Sequence, residues 1–166
     1  MSMTLELVGM KVLTVRQPFA DQIIFGGRFC ENQPLPIFHR GSLLIHAAAK
    51  VRRPMAGCLL EKLDEGSRAL YSSPGNGVLS AIIGVVEVVD CFHAEDWECA
   101  LLYEPGDSDF EKPATPDQLR AREYIERNRE KDLWLAIGKF VWIFDRPEPI
   151  EPVRCRGGTG VWTFEG

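Results

Sequence analysis

Three arginines carry the chemistry in this chain that points most directly to a ligand. Arg16 ends a short β-branched run, Arg28 follows a Gly-Gly pair, and Arg40 precedes a second apolar run that ends before Lys50. A guanidinium is a planar fork of donors that fits a phosphate or the acceptor edge of a guanine. Arginines beside strands are usually only solvated, so on these residues alone solvation is the simpler interpretation.

A second basic segment lies near the end of the chain, where residues 154–160 read RCRGGTG. Successive glycines let backbone N–H groups converge on an anion, and Arg154 and Arg156 would add charge to such a nest around Gly157 and Gly158. A tight turn before the last strand explains the same residues more simply.

Two carboxylates and two histidines are further candidates. Glu31 could accept from an exocyclic amine or hold an arginine in place. Glu87 interrupts an apolar run, so it must be paired or lie on an exposed edge, and both interpretations stay open. His46 lies inside an apolar run and is predicted to be a core histidine, whereas His39, in the loop before Arg40, is the better ligand candidate.

The cysteines do not predict a metal site. Five are present, none forms a CxxC pair, and Cys91-x-His93 is the only close ligand pair. We therefore predict reduced thiols, no metal and no cofactor, in a protein of the reducing cytoplasm.

Composition narrows the class of protein. The chain has 166 residues, 45% of them hydrophobic and 26% charged, which fits one globular domain. Its net charge of −5 argues against a general polyanion binder but leaves room for a local basic cleft. No leader-like start and no long apolar run is present, so we expect a soluble, cytoplasmic protein without a membrane contact.

The elements that would position these side chains follow from apolar periodicity and turn residues. Strands are predicted at residues 12–15, 42–47, 78–90, 139–144 and 161–164, and helices after Pro18, over 54–63, over 95–102 and from Thr115. The run 78–90 predicts a strand covered on both faces, and 146–152 a proline-rich link. Residues 104–132 are predicted to be a charged, helical surface insertion. Together these elements predict an α+β fold, a small mixed barrel with short flanking helices.

The order of these motifs resembles the ASCH domain family of the PUA-like superfamily. Residues 12–20 (VLTVRQPFA) resemble its opening strand and RQPWA motif, and 27–33 (GRFCENQ) occupy the place of GxKxxExR. Residues 39–47 (HRGSLLIHA), 83–90 (IGVVEVVD) and 156–162 (RGGTGVW) are similar to its later strands. The resemblance covers about 120 residues and leaves 104–132 unmatched.

This resemblance implies a PUA-like barrel and a cleft beside the first helix that binds RNA or a nucleotide. It places the loop at residues 154–160 near that cleft, and we predict that Arg16, Arg28, Glu31, His39 and Arg40 meet it there. Some small ASCH proteins deacetylate N4-acetylcytidine with a lysine, a threonine and a glutamate. The corresponding residues here are Arg28, Glu31 and Glu87, so only the glutamate is kept. Arginine does not give up its proton, and Glu31 has no hydroxyl.

Three functions therefore stay open. The chain is predicted first to bind RNA or a modified nucleotide. Alternatively it hydrolyses an acylated nucleobase, with Glu31 or Glu87 as general base for a water and Arg28 stabilising the oxyanion. Alternatively it captures a protein partner through the acidic insertion at 104–132. The sequence leaves the choice between binding and turnover open.

Overall fold

The architecture is that of a mixed α+β protein, as the sequence predicts. The computed structural model describes residues 6–51, 77–102, 113–128 and 138–166. The predicted helix over 54–63 lies outside them. The elements are β1 Lys11–Gln17, α1 Phe19–Ile24, β2 Cys30–Gln33, β3 Gly41–Val51, β4 Ala81–His93, α2 Ala94–Leu102, α3 Pro116–Arg127, β5 Phe140–Arg154 and β6 Val161–Thr163.

The strands form a six-stranded sheet in the order β2-β5-β4-β3-β1-β6. β1 runs parallel to β3, with Thr14 opposite His46, and antiparallel to β6, with Val12 opposite Trp162. β2 runs antiparallel to β5. The mixed pairing confirms the predicted fold class, and the parallel pair sets Thr14 and His46 side by side on neighbouring strands.

The chain divides into two compact units. The first contains Met1–Arg28, Gly41–Glu87 and Asp145–Gly166, and the second contains Phe29–Arg40 and Val88–Phe144. The core of the first includes Val12, Leu44, Ile82 and Phe164. The core of the second is built from Phe29, Cys30, Phe92, Trp97, Ala100, Ala121, Ile125, Val141 and Ile143.

Helix α3 begins as its sequence predicts. The backbone N–H of Gln118 donates to Thr115 Oγ1 over 3.2 Å, and the N–H of Thr115 donates to Gln118 Oε1 over 3.0 Å. This capping box satisfies donors that a helix start otherwise leaves unpaired. Only Ala121 and Ile125 of the helix are buried, which agrees with the charged surface character predicted for it.

Three strands differ from the prediction, and the first is β2, Cys30–Gln33, which forms in a segment that the sequence predicts to be a loop. In β4 the first four residues are buried, but from Gly84 onwards buried and half-buried residues alternate, so Val85, Glu87 and Val89 share a partly exposed side. β5 does not end before the prolines and continues to Arg154. Since β2 pairs only with Phe140 to Ile143, the later part of β5 lacks that partner, and prolines without an N–H are tolerated along an unpaired edge.

Among the described helices, none is long and apolar enough to cross a membrane. No group of three or more metal-ligating side chains occurs in the described ranges either. The cysteines that the structure describes, Cys30, Cys91, Cys99 and Cys155, are free thiols.

Candidate functional site

The segment that follows β5 is fixed to the sheet of the first unit through Cys155. The Cys155 N–H donates to the Ser80 carbonyl over 3.1 Å. The Cys155 carbonyl lies 3.1 Å from His46 Nε2. Because a carbonyl can only accept, Nε2 must carry the proton of the imidazole. Two hydrogen bonds therefore set the position of the backbone between Arg154 and Arg156.

Gly157 packs directly on the β1–β3 pair. A Cβ at this position would lie 2.7 Å from His46 Cε1 and 2.9 Å from Thr14 Oγ1, closer than real Cβ atoms approach. The Thr14 hydroxyl in turn accepts a hydrogen bond from Trp162 Nε1 over 3.0 Å. Gly157 is thus required here because it lacks a side chain.

Gly158 is explained in the same way, since its Cβ would lie 2.6 Å from Cγ of Trp162. The structure therefore gives both glycines a packing role. The anion nest that their sequence also allows stays a prediction.

His46 is a core histidine, as predicted from its apolar run. It is 1% exposed, and its ring meets that of Trp162 edge-on, with centroids 5.9 Å apart. Burial lowers the pKa of His46 from its usual 6.5, and the hydrogen bond to Cys155 only partly opposes this. Its Nδ1 has no hydrogen-bond partner among the described residues. The imidazole is therefore neutral at physiological pH.

Four cations belong to the elements that meet in this packed segment, and we call them the basic cluster: Arg16, Lys50, Arg154 and Arg156. Arg16 follows Thr14 by two residues on β1, at the point where the register with β3 shifts between Val15 and Gln17, so simple alternation does not assign its face. Gln17 pairs with Val51, which brings the end of β3, including Lys50, beside Arg16. All four are exposed. Arg154 and Arg156 flank Cys155, whose partly buried side chain packs on the core, so they project away from it.

Arg28 occupies a different environment from the basic cluster. It is 7% exposed, and its guanidinium carbon lies 4.6 Å from the centre of the Phe19 ring. Its backbone N–H donates to the Gln22 carbonyl over 2.9 Å. Such a stacked, buried arginine stabilises the turn after α1.

A buried polar network positions α1. Gln17 Nε2 donates to Asp21 Oδ1 over 2.7 Å and to the Val78 carbonyl over 2.8 Å. The N–H of Gly77 donates to Asp21 Oδ2 over 3.1 Å. The neighbouring Gln22 is also buried, but neither atom of its side-chain amide has a hydrogen-bond partner within the described part of the chain. The helix is thus held by the first glutamine and not by the second.

The other sequence-predicted ligands lie in the second unit. Glu31, on β2, is half-buried opposite Trp142 of β5. His39 is half-buried in the loop before β3. Arg40 Nη1 donates to the carbonyls of Ile37 and His39 over 2.9 and 3.0 Å, so its guanidinium braces its own loop.

Asp90 contacts two arginines of this unit, Arg120 and Arg40. Arg120 Nε donates to Asp90 Oδ2 over 2.7 Å, and Arg40 Nη2 lies 3.8 Å from Asp90 Oδ1. The bond to Asp90 is the main cause of the raised pKa of Arg120. Burial, followed by the Asp90 charge, raises the pKa of Tyr124. Arg40 therefore has a structural partner in addition to its backbone acceptors.

Glu87 lies at the exposed side of β4 in the first unit. Its Oε2 is 3.3 Å from Arg146 Nη1, and the two side chains are 40% and 76% exposed. Since β4 lies between β5 and β3, Glu87 is ion-paired on a partly exposed face of the sheet and not at an edge. An ion pair this exposed contributes little stability.

The structure groups the predicted site residues by unit. The first unit holds Arg16, Arg28, Glu87, Arg154, Arg156, Gly157 and Gly158, and the second holds Glu31, His39 and Arg40. Packing of Gly157 on Thr14 joins the terminal loop to the strand that carries Arg16. A single recess shared by all of these residues stays a prediction.

Sequence reasoning missed Thr14 as a contact of the terminal loop, and it missed Phe38, which is 90% exposed. The only signal for Phe38 was an aromatic residue between a proline-rich segment and His39.

No protein-family model and no curated protein sequence matches this chain. Its structure is similar to that of ASCH from Zymomonas mobilis, with a TM-score of 0.44 and 12% identity over 94% of this chain and 87% of that chain. A tyrosine-to-phenylalanine mutant of that protein gives a TM-score of 0.44 and 12% identity over 94% and 90% of the two chains. A serine-to-alanine mutant gives 0.42 and 12% over 95% and 89%. The motifs of the sequence resemble the same family.

Proposed function

We propose that this protein binds RNA, or a nucleotide through its phosphate, at the basic cluster of the first unit. The observation that supports this most is the packing of Gly157 on Thr14 and His46. It brings the loop that carries Arg154 and Arg156 onto β1, the strand that carries Arg16. Arginine forks and a lysine are the groups that bind phosphate oxygens in proteins.

The net charge of the chain fits a local binding site for phosphate and not a general affinity for polyanions. The chain carries a net charge of −5, so the cations act against a repulsive background. At about 0.1 M salt the field of an exposed charge is screened within about 10 Å. Phosphates that reach the basic cluster would therefore be attracted, whereas contact elsewhere on the protein would not be favoured. Binding of this kind is weak and sensitive to salt.

The proposal is tested by removing single charges and measuring RNA affinity. Arg16→Gln and Arg156→Gln should each weaken binding of a fluorescein-labelled single-stranded RNA, measured by anisotropy. Losing one exposed contact at about 4 Å costs about 1 kcal/mol, which is about a fivefold loss of affinity.

Lys11→Gln is the matched control for Arg16→Gln. Lys11 is exposed on the same strand, but it lies at the other end, where its Nζ donates to Thr163 Oγ1 over 3.2 Å. The charge change is identical, so the control should leave affinity nearly unchanged. Equal losses in all three variants would mean that only net charge matters, and the basic cluster would not be the site.

Two other functions stay predictions. Hydrolysis of an acylated nucleobase would need Glu31 or Glu87 as the base, and Glu87 is engaged by Arg146. Capture of a protein by residues 104–132 concerns a segment of which only residues 113–128 are described. In that part, the exposed face of α3 carries charges of both signs.

A further inference from the structure

The loop formed by residues 34–40, in the second unit, has a backbone fixed at several points. Trp142 Nε1 donates to the Leu35 carbonyl over 2.9 Å, and Arg40 Nη1 donates to the Ile37 carbonyl over 2.9 Å. The Ile37 side chain is buried at 6% exposure. Arg40 Nη1 also donates to the His39 carbonyl over 3.0 Å, so the backbone is held on both sides of Phe38.

Phe38 points into solvent, with 90% of its surface exposed. It is the most exposed large apolar side chain among the described residues, ahead of Leu35 at 69%. Leaving a phenylalanine in water is unfavourable compared with burying it. A rigid loop that holds an aromatic ring outward is therefore a candidate contact for a ligand.

The surroundings of the ring favour a nucleobase as that ligand. His39 and Arg40 follow Phe38 directly in the chain. Gln33, the residue before the loop, pairs with Phe140 at the start of β5. Lys139, which precedes Phe140, therefore lies next to residue 34, the first residue of the loop. Arg40, with 46% of its side chain exposed, and Lys139, also exposed, are cations beside this loop. An exposed aromatic ring near cations is a usual arrangement for binding single-stranded nucleic acid, because every base offers a π-face. A protein interface would need roughly 800 Å² on each partner, far more than two apolar side chains present.

We infer that Phe38 is a stacking platform for one unpaired base of a bound RNA. This inference rests on the proposed function, and it narrows the ligand to single-stranded RNA. Bases in a duplex are already stacked on their neighbours and cannot offer a face to the ring. Selectivity for unpaired segments would thus come from Phe38.

The test compares three substitutions at Phe38, measured with a short fluorescein-labelled single-stranded RNA and with the same strand annealed to its complement. Phe38→Ala should weaken single-strand binding roughly 5- to 100-fold and leave duplex binding unchanged. Phe38→Trp should retain affinity, and the new indole should be quenched on RNA addition. Phe38→Leu, apolar but not aromatic, should lose affinity as alanine does.

Leu35→Ala is the control for a general loss of apolar surface in the same loop, and it should bind like the wild type. Since Phe38 is almost fully exposed, none of its substitutions should alter the thermal midpoint. Binding of Phe38→Ala at wild-type strength would overturn the inference, and so would full binding by Phe38→Leu, which would indicate an apolar partner. If the wild type binds no RNA, the proposed function fails first. If charge variants weaken binding and Phe38→Ala does not, only the stacking role fails.

Discussion

Replacing Gly157 with alanine places one methyl group between the terminal loop and the β1–β3 pair. The methyl carbon would lie 2.7 Å from His46 Cε1, 2.9 Å from His46 Nδ1 and 2.9 Å from Thr14 Oγ1. His46 cannot swing away freely, because its Nε2 is bonded to Cys155 and its ring meets Trp162. Thr14 is held by the Trp162 indole. The loop or the strands must therefore shift.

The cost follows from the size of that shift. Real Cβ atoms seldom come within 3.4 Å of such neighbours, so the contact at 2.7 Å requires several tenths of an ångström of movement in buried groups. Adding a methyl group to a well-packed site costs about 1–3 kcal/mol. For a chain of this length that corresponds to a fall of roughly 2–12 °C in the melting temperature. RNA affinity should fall as well, because the loop carries Arg156.

Urea unfolding of four proteins measures this cost: the wild type, Gly157→Ala, His46→Ala and the double variant. The alanine methyl meets two atoms of His46, so its cost should be smaller when the imidazole is absent, and the coupling free energy should exceed about 0.5 kcal/mol. Thr159→Ala, an exposed change in the same loop, should cost little. A Gly157→Ala protein as stable as the wild type would refute the packing described for this loop.

Three further predictions concern buried and exposed polar groups. Gln22→Leu should raise the free energy of unfolding by about 1–3 kcal/mol, because it removes a buried amide that has no hydrogen-bond partner among the described residues, whereas Gln17→Leu should lower it; equal losses in both would show that the Gln22 amide is bonded. The pKa of His46 is lowered in the folded state, so the unfolded state binds more protons below 6.5, and stability should decrease as the pH falls from about 7 towards 5. Urea midpoints over that range should depend less on pH in His46→Asn, and an identical dependence would contradict the sign. Finally, we expect no release of acetate from N4-acetylcytidine, since Arg146 engages Glu87; release that Glu87→Gln abolishes would favour the hydrolase alternative.

Local signals in the sequence predicted the elements well. The Thr115 capping box lies within four consecutive residues, so a local pattern predicts it, and a bond from Gln118 Nε2 to Asp96 Oδ1 over 3.2 Å adds to it. The apolar runs that became β1, β3 and β4 are likewise continuous in the chain. Burial of His46 followed from its place in such a run.

The misjudged parts depend on neighbours that a local pattern does not name. The prolines after Phe144 read as a link because a proline breaks a paired strand, but that part of β5 has lost β2 as a partner. A run of valines cannot show which of its members face solvent, so the alternation in β4 around Glu87 was hidden.

The candidate site shows the same limit. Arg16, Arg154 and Arg156 were identified by residue type, but their association depends on Gly157 meeting Thr14, two residues distant in sequence that only the fold brings together. The exposure of Phe38 was equally invisible, because an aromatic residue in a loop is more often an anchor than a platform.

The salt dependence of RNA binding tests the central claim most directly. If all four cations of the basic cluster contact phosphates of a single strand, the logarithm of the binding constant should fall with the logarithm of salt concentration with a slope of about −3, a loss of roughly 50-fold between 50 and 200 mM salt. The double variant Arg154→Gln, Arg156→Gln should give a slope of about −1.4. A wild-type slope near zero, or equal slopes in the two proteins, would contradict phosphate binding at this cluster.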